Sequence, residues 1–234
     1  MKKQEKPKGF SVSKYNSLFE NLTAEQRLEK LYKYYSVDEI LFTSSFGIHS
    51  PYLLYLMGKV NPKQKVHFIN TGYLFEETIQ FINELSSKFG LEVIEIQPNE
   101  KPHALTKNRE WWKDHPKMCC AINKISPLNE AKKGKKIWVS GIQGFQTTHR
   151  ANLGIFVPHG DLHKFHPLID MDEGQLLYEI GKLKLPKHPL VDAGYGSIGC
   201  THCTIKGEGR AGRWADNQKT ECGLHLPDPQ DERE

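Results

Sequence analysis

Three of the five cysteines fall within one stretch near the C-terminus, GCTHCTIKGEGRAGRWADNQKTECGLH, residues 199–225. Cys200 and Cys203 form a C-x-x-C pair there, and Cys222 stands alone in Lys219-Thr220-Glu221-Cys222-Gly223-Leu224-His225. The other two, Cys119 and Cys120, are adjacent and far upstream. Four paired thiolates suit zinc or an iron–sulfur cluster. Zinc ribbons bring two spaced knuckles, whereas one pair here has no spacer. Neighbouring residues both reach a cubane, whose irons are spread out, more easily than one small ion. The pattern therefore favours one [4Fe–4S] cluster on Cys119, Cys120, Cys200 and Cys203. Zinc is the alternative, and a buried free pair beside a coincidental C-x-x-C is the plainest reading.

Cys222 invites a different chemistry. A cation or imidazole close by raises the thiolate fraction of a cysteine and makes it a nucleophile, and Lys219 and His225 flank this one in sequence. A lone cysteine is equally at home as an inert buried residue, so both readings stand on the residues alone.

Candidate anion-binding elements accompany it. Thr43-Ser44-Ser45-Phe46-Gly47 follows an apolar run and precedes a helical pattern, so Ser44, Ser45 and Gly47 can offer hydroxyls and backbone N–H groups to a phosphate. It is not a Walker loop, and an ordinary strand–helix turn would look the same. Thr71 and Gly72 end a second apolar run in the same way. Arg210 and Arg213 lie in a glycine-interrupted run, Gly207–Trp214, that reads as a flexible loop able to fold over an anion. Lys124, Arg150 and Lys219 are further cations whose default place is solvated surface. His159, His163, His166 and His188 are too irregularly spaced for a metal site and read as surface or packing residues.

The elements that must position these residues follow an alternating pattern. Helical periodicity covers Ser13 to Tyr35, broken by an N-cap at Thr23 with Glu25 and Gln26 behind it. Strands are expected near 39–43, 65–70, 91–96 and 136–140. Helices are expected over 50–60 (with Pro51 in its first turn), 74–89 (ending at Gly90), 118–132 and 173–183. The adjacent cysteines would then open a helix, and Gly141 to Asn152 begins a loop region. Strands alternating with helices imply an α/β fold with a doubly wound, mostly parallel sheet. Ligands of such sheets sit beyond the carboxyl ends of the strands, where Ser44–Gly47 and Asn70–Gly72 fall.

Composition sets the frame. The 234 residues are 38% hydrophobic and 26% charged, with a net charge of +4, as in a soluble globular protein. Residues 1–12 read as a disordered lead and 13–234 as a single domain whose C-terminal segment, from about 207, is mobile. The mild positive charge suits a small anionic ligand and argues against a nucleic-acid partner. No apolar run reaches the roughly 18 residues of a membrane span, and the charged N-terminus has no apolar stretch behind it. A reducing, cytoplasmic setting is expected, where five cysteines serve metal binding and catalysis rather than disulfides.

Together these motifs resemble the assimilatory sulfonucleotide reductases, in their iron–sulfur-containing branch. That family reduces adenylyl sulfate (APS) or its 3′-phosphorylated form (PAPS) to sulfite. The likeness runs from about residue 15 to 226. Its most specific mark is Lys219–His225, similar to the family's K-x-E-C-G-[IL]-H nucleophile motif. Ser44–Gly47, Asn70–Phe75, Cys119-Cys120-x-x-x-Lys124 and Gly207–Trp214 support it. The resemblance implies an adenine-nucleotide α-hydrolase-like (PP-loop-like) sheet with a C-terminal catalytic arm. It implies that Cys222 attacks the sulfur of the bound sulfonucleotide and that thioredoxin or glutaredoxin then releases sulfite. By the same resemblance, Lys124, Arg150, Arg210, Arg213 and His225 surround the sulfate, with Lys219 beside the arm. The cluster acts structurally and electrostatically. All four cluster cysteines are present, which in the family accompanies APS. Gln143 and Gly144 stand where the family usually has arginines, Asn70 replaces an aspartate, and Asn152-Leu153 resembles the PAPS-using branch. The other enzymes of this fold that cleave ATP use S-G-G-x-D-S, and no Asp stands at Ser44–His49.

Overall fold

The computed structural model describes residues 11–215 and 219–226. Its strands are β1 (Ile40–Thr43), β2 (Val66–Ile69), β3 (Val93–Ile96), β4 (Ile137–Ser140), β5 (Phe156–His159) and β6 (Leu162–Phe165). They form one sheet in the order β3-β2-β1-β4-β6-β5, parallel except for the antiparallel edge strand β5. The order reverses between β1 and β4. The chain winds outward from β1 through β2 to β3, then returns to place β4 on the other side of β1. Such a switch point leaves a crevice at the carboxyl ends of the two strands. Here those ends are Thr43 and Ser140, which face each other in register.

Helices cover the sheet. α1 (Val12–Phe19) and α2 (Ala24–Tyr34) open the chain. The break between them is made by Thr23, whose hydroxyl accepts from Gln26 N at 3.3 Å while Gln26 Oε1 accepts from Thr23 N at 3.0 Å. This capping box satisfies two backbone donors that a helix start leaves orphaned. Ser11 caps α1, so helix begins inside the stretch expected to be a lead; residues 1–10 lie outside the described residues. α3 (Ser50–Val60) carries Pro51 in its first turn, and α4 (Glu76–Phe89) ends on Gly90 at φ +63°, both as expected.

Arg27 of α2 is buried. It donates to Phe19 O, Glu20 O and Pro167 O, and both Nη atoms reach the Asp170 carboxylate at 2.6 Å. One guanidinium thus ties the opening helices to the 167–170 turn. That turn in turn receives Gly144 N on Ile169 O at 2.8 Å, next to the crevice.

The stretch after β3 departs from the sequence reading. α5 (Glu100–Asn108) and α6 (Trp111–Asp114) occupy a region given no helix by periodicity, and α7 (Pro116–Cys120) follows them. The expected helix over 118–132 is α7, a π-helical turn over Ala121–Ile125, and α8 (Ser126–Lys132). Pro127 supplies the reason: it has no N–H for the carbonyl four residues back, and the preceding turn widens, with Ser126 N bonding to Ala121 O. Cys119 and Cys120 thus lie in the first turns of one continuous helical run, near its start as expected. α9 (Thr148–Ala151) gives a turn of helix to the expected loop, and the β5–β6 hairpin turns at Gly160, φ +57°. α10 (Glu173–Lys182) follows. Among the described residues no helix is long and apolar enough to cross a membrane.

Candidate active site

A cavity of about 350 Å³ opens at the switch point. Its floor is made by the turns that leave β1 and β4. After Thr43 the chain reverses through Phe46, which takes a left-handed φ of 49° despite its side chain. Such a backbone costs about 1–2 kcal/mol. Burying the Phe46 ring edge-on to Phe68, fully out of solvent, returns about 1.5–3 kcal/mol. Ser44 Oγ also accepts from Phe46 N at 3.1 Å. The turn is thereby held open, and Ser44, Ser45 and Gly47 line the cavity. Thr71 lines it from the end of β2, while Gly72 lies beside it, at φ +73°, against the His103 ring. Gln143 is buried in the opposite wall and donates to Gly141 O at 2.6 Å. Gly144 is crowded, since a Cβ there would come within 2.7 Å of Ile169 O.

Five expected sulfate-binding residues, Lys124, Arg150, Arg210, Arg213 and His225, all line this cavity. They reach it from four separate parts of the chain. Lys124 projects from the π-helical turn. Burial opposes its charge, but the sulfurs of Cys200, Cys222 and Cys120 hold its pKa above the ordinary lysine range. Arg213 donates to Ile198 O at 3.0 Å, and Gly199 leaves it room, because a Cβ there would overlap the guanidinium at 2.2 Å. Arg213 and Arg210 both sit over the buried Trp214 ring. Burial, with Arg150 nearby, pushes the Arg210 pKa down to about 10, so it remains charged at neutral pH. Gly212 of this loop serves close packing, since a Cβ there would meet Ile205 O at 2.1 Å.

His225 is the one imidazole among the five. It stacks on Trp138 with ring centroids 5.4 Å apart, and burial, with Arg150 and Lys164 nearby, holds its pKa well below the ordinary range. Its ring packs as a neutral group, and its backbone carbonyl accepts from the His149 ring at 2.9 Å. The other irregular histidines pack as the sequence suggests, His159, His166 and His188 being buried.

Cys222 lines the same cavity. The arm that carries it is described over 219–226, and its Glu221 is buried against Arg150. Residues 216–218 and 227–234 of the segment expected to be mobile lie outside the described residues. Glu221 belongs to the motif quoted above but had no assigned role. The signal was its place next to the nucleophile, and what the sequence could not show was its partner 71 positions away.

A second, small cavity of about 10 Å³ adjoins the first and is lined by Cys119, Cys120, Cys200 and Cys203 together. Lys124 and Cys200 line both cavities. Three of the four sulfurs have polar partners: Thr71 Oγ1 at 3.3 Å from Cys200, Asn123 Nδ2 donating to Cys119 at 3.5 Å, and Lys219 Nζ donating to Cys120 at 3.0 Å. Burial pushes the Cys119 thiol up and the Cys203 thiol up to about 11. For Cys200, burial is outweighed by Lys124, Thr71 and Arg213, and its pKa is lowered. Tyr73 and Trp112 wall the cavity, and Trp112 stacks on His202 at 4.0 Å. Lys219 thus sits on the cysteine side and not in the wall of the large cavity. All five cysteines are free thiols. Among the described residues no three His, Cys, Asp or Glu side chains are grouped to hold a single metal ion.

A mostly parallel sheet with its cavity over the strand-order reversal is the ligand-binding arrangement of a doubly wound α/β protein. The chain belongs to the family described as the phosphoadenosine phosphosulfate reductase domain, which matches residues 39–206. It is 38% identical over 208 residues to an adenosine 5′-phosphosulfate reductase of Bacillus cereus (strain 03BB102), covering 83% of this chain and 86% of that one. The fold is shared with the crystal structure of a phosphoadenylyl-sulfate (PAPS) reductase from Candida auris in phosphate complex, at a TM-score of 0.73 and 20% identity, over 84% of this chain and 98% of the other. A Candida glabrata FMN adenylyltransferase has the same sheet at a TM-score of 0.53 and 17% identity, over 85% and 66% of the two chains.

Proposed function

We propose that the protein reduces a sulfonucleotide, APS by preference, to sulfite and AMP, in sulfate assimilation. The observation that carries this reading is the placement of Cys222 in the wall of a cavity that also holds Lys124, Arg210 and Arg213. A thiolate and a sulfate group repel each other, and buried cations aimed at both remove that barrier. Ser44, Ser45, Gly47 and Thr71 receive the nucleotide at the strand ends, with Gly72 fixing the turn behind Thr71.

The Cys222 thiolate attacks the sulfate sulfur. The new S–S bond forms as the S–O bond to AMP breaks, leaving an S-sulfocysteine. A dithiol carrier, thioredoxin or glutaredoxin, supplies the two electrons. Its thiolate attacks Cys222 Sγ, sulfite leaves with the bonding pair, and the second carrier thiol resolves the mixed disulfide to return Cys222 reduced.

One [4Fe–4S] cluster on Cys119, Cys120, Cys200 and Cys203 fits the donor set, since all four thiols line one cavity and three carry polar partners. When bound, it supplies a fixed charge beside Lys124 and a cross-link between α7 and the tail. The domain is read as one unit from residue 13 onward, working in a reducing cytoplasm that keeps its cysteines out of disulfides. No nucleic-acid or membrane partner enters this reading.

Sulfite release from APS and from PAPS, side by side with thioredoxin as reductant, tests the reading. Faster release from APS is expected. Release from PAPS alone would move the assignment to that nucleotide, as Asn152-Leu153 after Arg150 hints. Release from neither would end it.

A further inference from the structure

The carboxylate next to the nucleophile is almost fully withdrawn from water, at 5% exposure. Arg150 meets it with two parallel bonds, Nε to Oε1 at 2.7 Å and Nη2 to Oε2 at 2.8 Å. Thr147 Oγ1 donates to Oε1 at 3.2 Å, and Arg210 Nη2 lies 3.7 Å from Oε2 while donating to Thr220 O at 3.0 Å. A buried carboxylate is tolerated only where such partners replace its water, so the pair admits the arm in one place and register. Burial opposes the charge of Glu221, yet Arg150 and Arg210 hold its carboxyl below the ordinary range. Arg150 is itself buried and already matched by this carboxylate, so it is not a spare cation for an incoming sulfate.

We infer that Glu221 is a positioning residue which, through Arg150, docks the arm and sets Cys222 in the cavity wall, leaving Lys124 and Arg213, with Arg210 shared between Glu221 and the cavity, to neutralise the substrate anion. The inference rests on Cys222 being the reactive residue of this site. The arm is then pinned on both sides of the nucleophile: at Glu221 by Arg150, and at His225 by the Trp138 stack and the His149 bond. Undocking requires the Arg150–Glu221 pair to part, so the same pair governs how readily Cys222 turns outward to a dithiol carrier.

The test is alkylation of Cys222 by N-ethylmaleimide in the full-length, anaerobically purified protein, read by peptide mass mapping. Glu221→Gln and Arg150→Gln are each expected to speed modification of Cys222 by about tenfold, the loss of one charge-assisted pair, and the double variant no further than the faster single one. Charge alone would speed the first and slow the second, so an unchanged or slower rate in Arg150→Gln overturns the inference. Multiplying effects in the double variant do so as well. If Glu221→Gln exposes all five cysteines alike, Thr147→Val decides. A smaller rise confined to Cys222 upholds the docking role, and no rise sinks it. AMP affinity, by calorimetry, is expected to stay within about threefold in Glu221→Gln, because an arm anchor does not touch the nucleotide. A loss of affinity larger in Arg150→Gln than in Glu221→Gln would return Arg150 to the substrate. Should alkylation behave as stated while neither APS nor PAPS loads Cys222, the docking role stands and the reductase reading falls.

Discussion

Lys219 Nζ donates to Cys120 Sγ at 3.0 Å and to Pro116 O at 3.2 Å, joining the root of the arm to a cysteine 99 positions upstream. The bond links the reactive segment to the cysteine cavity without placing Lys219 in the nucleotide cavity. A charge-assisted bond of this kind is worth about 1.5–3 kcal/mol. Lys219→Met is expected to release iron to a chelator about tenfold faster than the parent protein, followed by loss of visible absorbance. An unchanged release rate would show that the bond does not support the cysteine set.

Cys222→Ser and Cys200→Ser separate the two kinds of thiol. The first is expected to abolish sulfite formation and keep the brown colour of the anaerobic protein. The second loses iron and most activity, because it removes one wall of the small cavity and the sulfur nearest Thr71. Turnover by Cys222→Ser, or full activity of an iron-free Cys200→Ser, would contradict these roles.

Gly144 stands where the family usually has an arginine, and the backbone here leaves no room for one. A Cβ would approach Ile169 O to 2.7 Å, and Gly144 N is committed to that same oxygen. Gly144→Arg is expected to destabilise the protein by about 1–3 kcal/mol, the usual range for overpacking a well-packed site. Thermal melting checks this; a melt at the parent temperature would mean the 167–170 turn can move away.

Acid acts through buried neutral histidines. Burial pushes His166 down to about 3 and His188 down to about 4, and holds His225 well below the ordinary value near 6.5. The unfolded chain binds protons at these residues before the folded one does, so stability is full above about pH 6.5 and falls as pH drops toward the folded values. Urea midpoints between pH 7 and pH 4 are expected to decline, and less steeply in His188→Gln.

Arg27→Met removes the bidentate partner of Asp170 and three carbonyl bonds. Asp170 is 54% exposed, so its ion pair is screened and the loss is expected at about 1–3 kcal/mol, below that of a fully buried pair. Because Pro167 and Asp170 border the Ile169–Gly144 contact, nucleotide affinity should weaken in step with the melting temperature. A weaker affinity with no stability change would point to a more local effect.

The alternation of apolar runs and helical stretches was enough to place β1 through β4, α2, α3, α4 and α10, since those segments bury one face or both by period alone. The cysteine pairs, Cys222, the Ser44–Gly47 turn and the loop arginines were equally legible, because their chemistry is carried by residue type and short spacing. What the chain's own order could not reveal depended on partners distant in sequence. The β5–β6 hairpin was hidden by buried polar residues such as His159 and Lys164, and α5 and α6 by a polar composition without clear periodicity. The π-helical turn that aims Lys124 at the sulfurs arises from Pro127 acting on a helix already packed. The resemblance implied that Arg150 and His225 surround the sulfate. Only the tertiary structure gave Arg150 to Glu221 and stacked a neutral His225 on Trp138, because a buried charge is decided by what surrounds it and not by its neighbours in the chain.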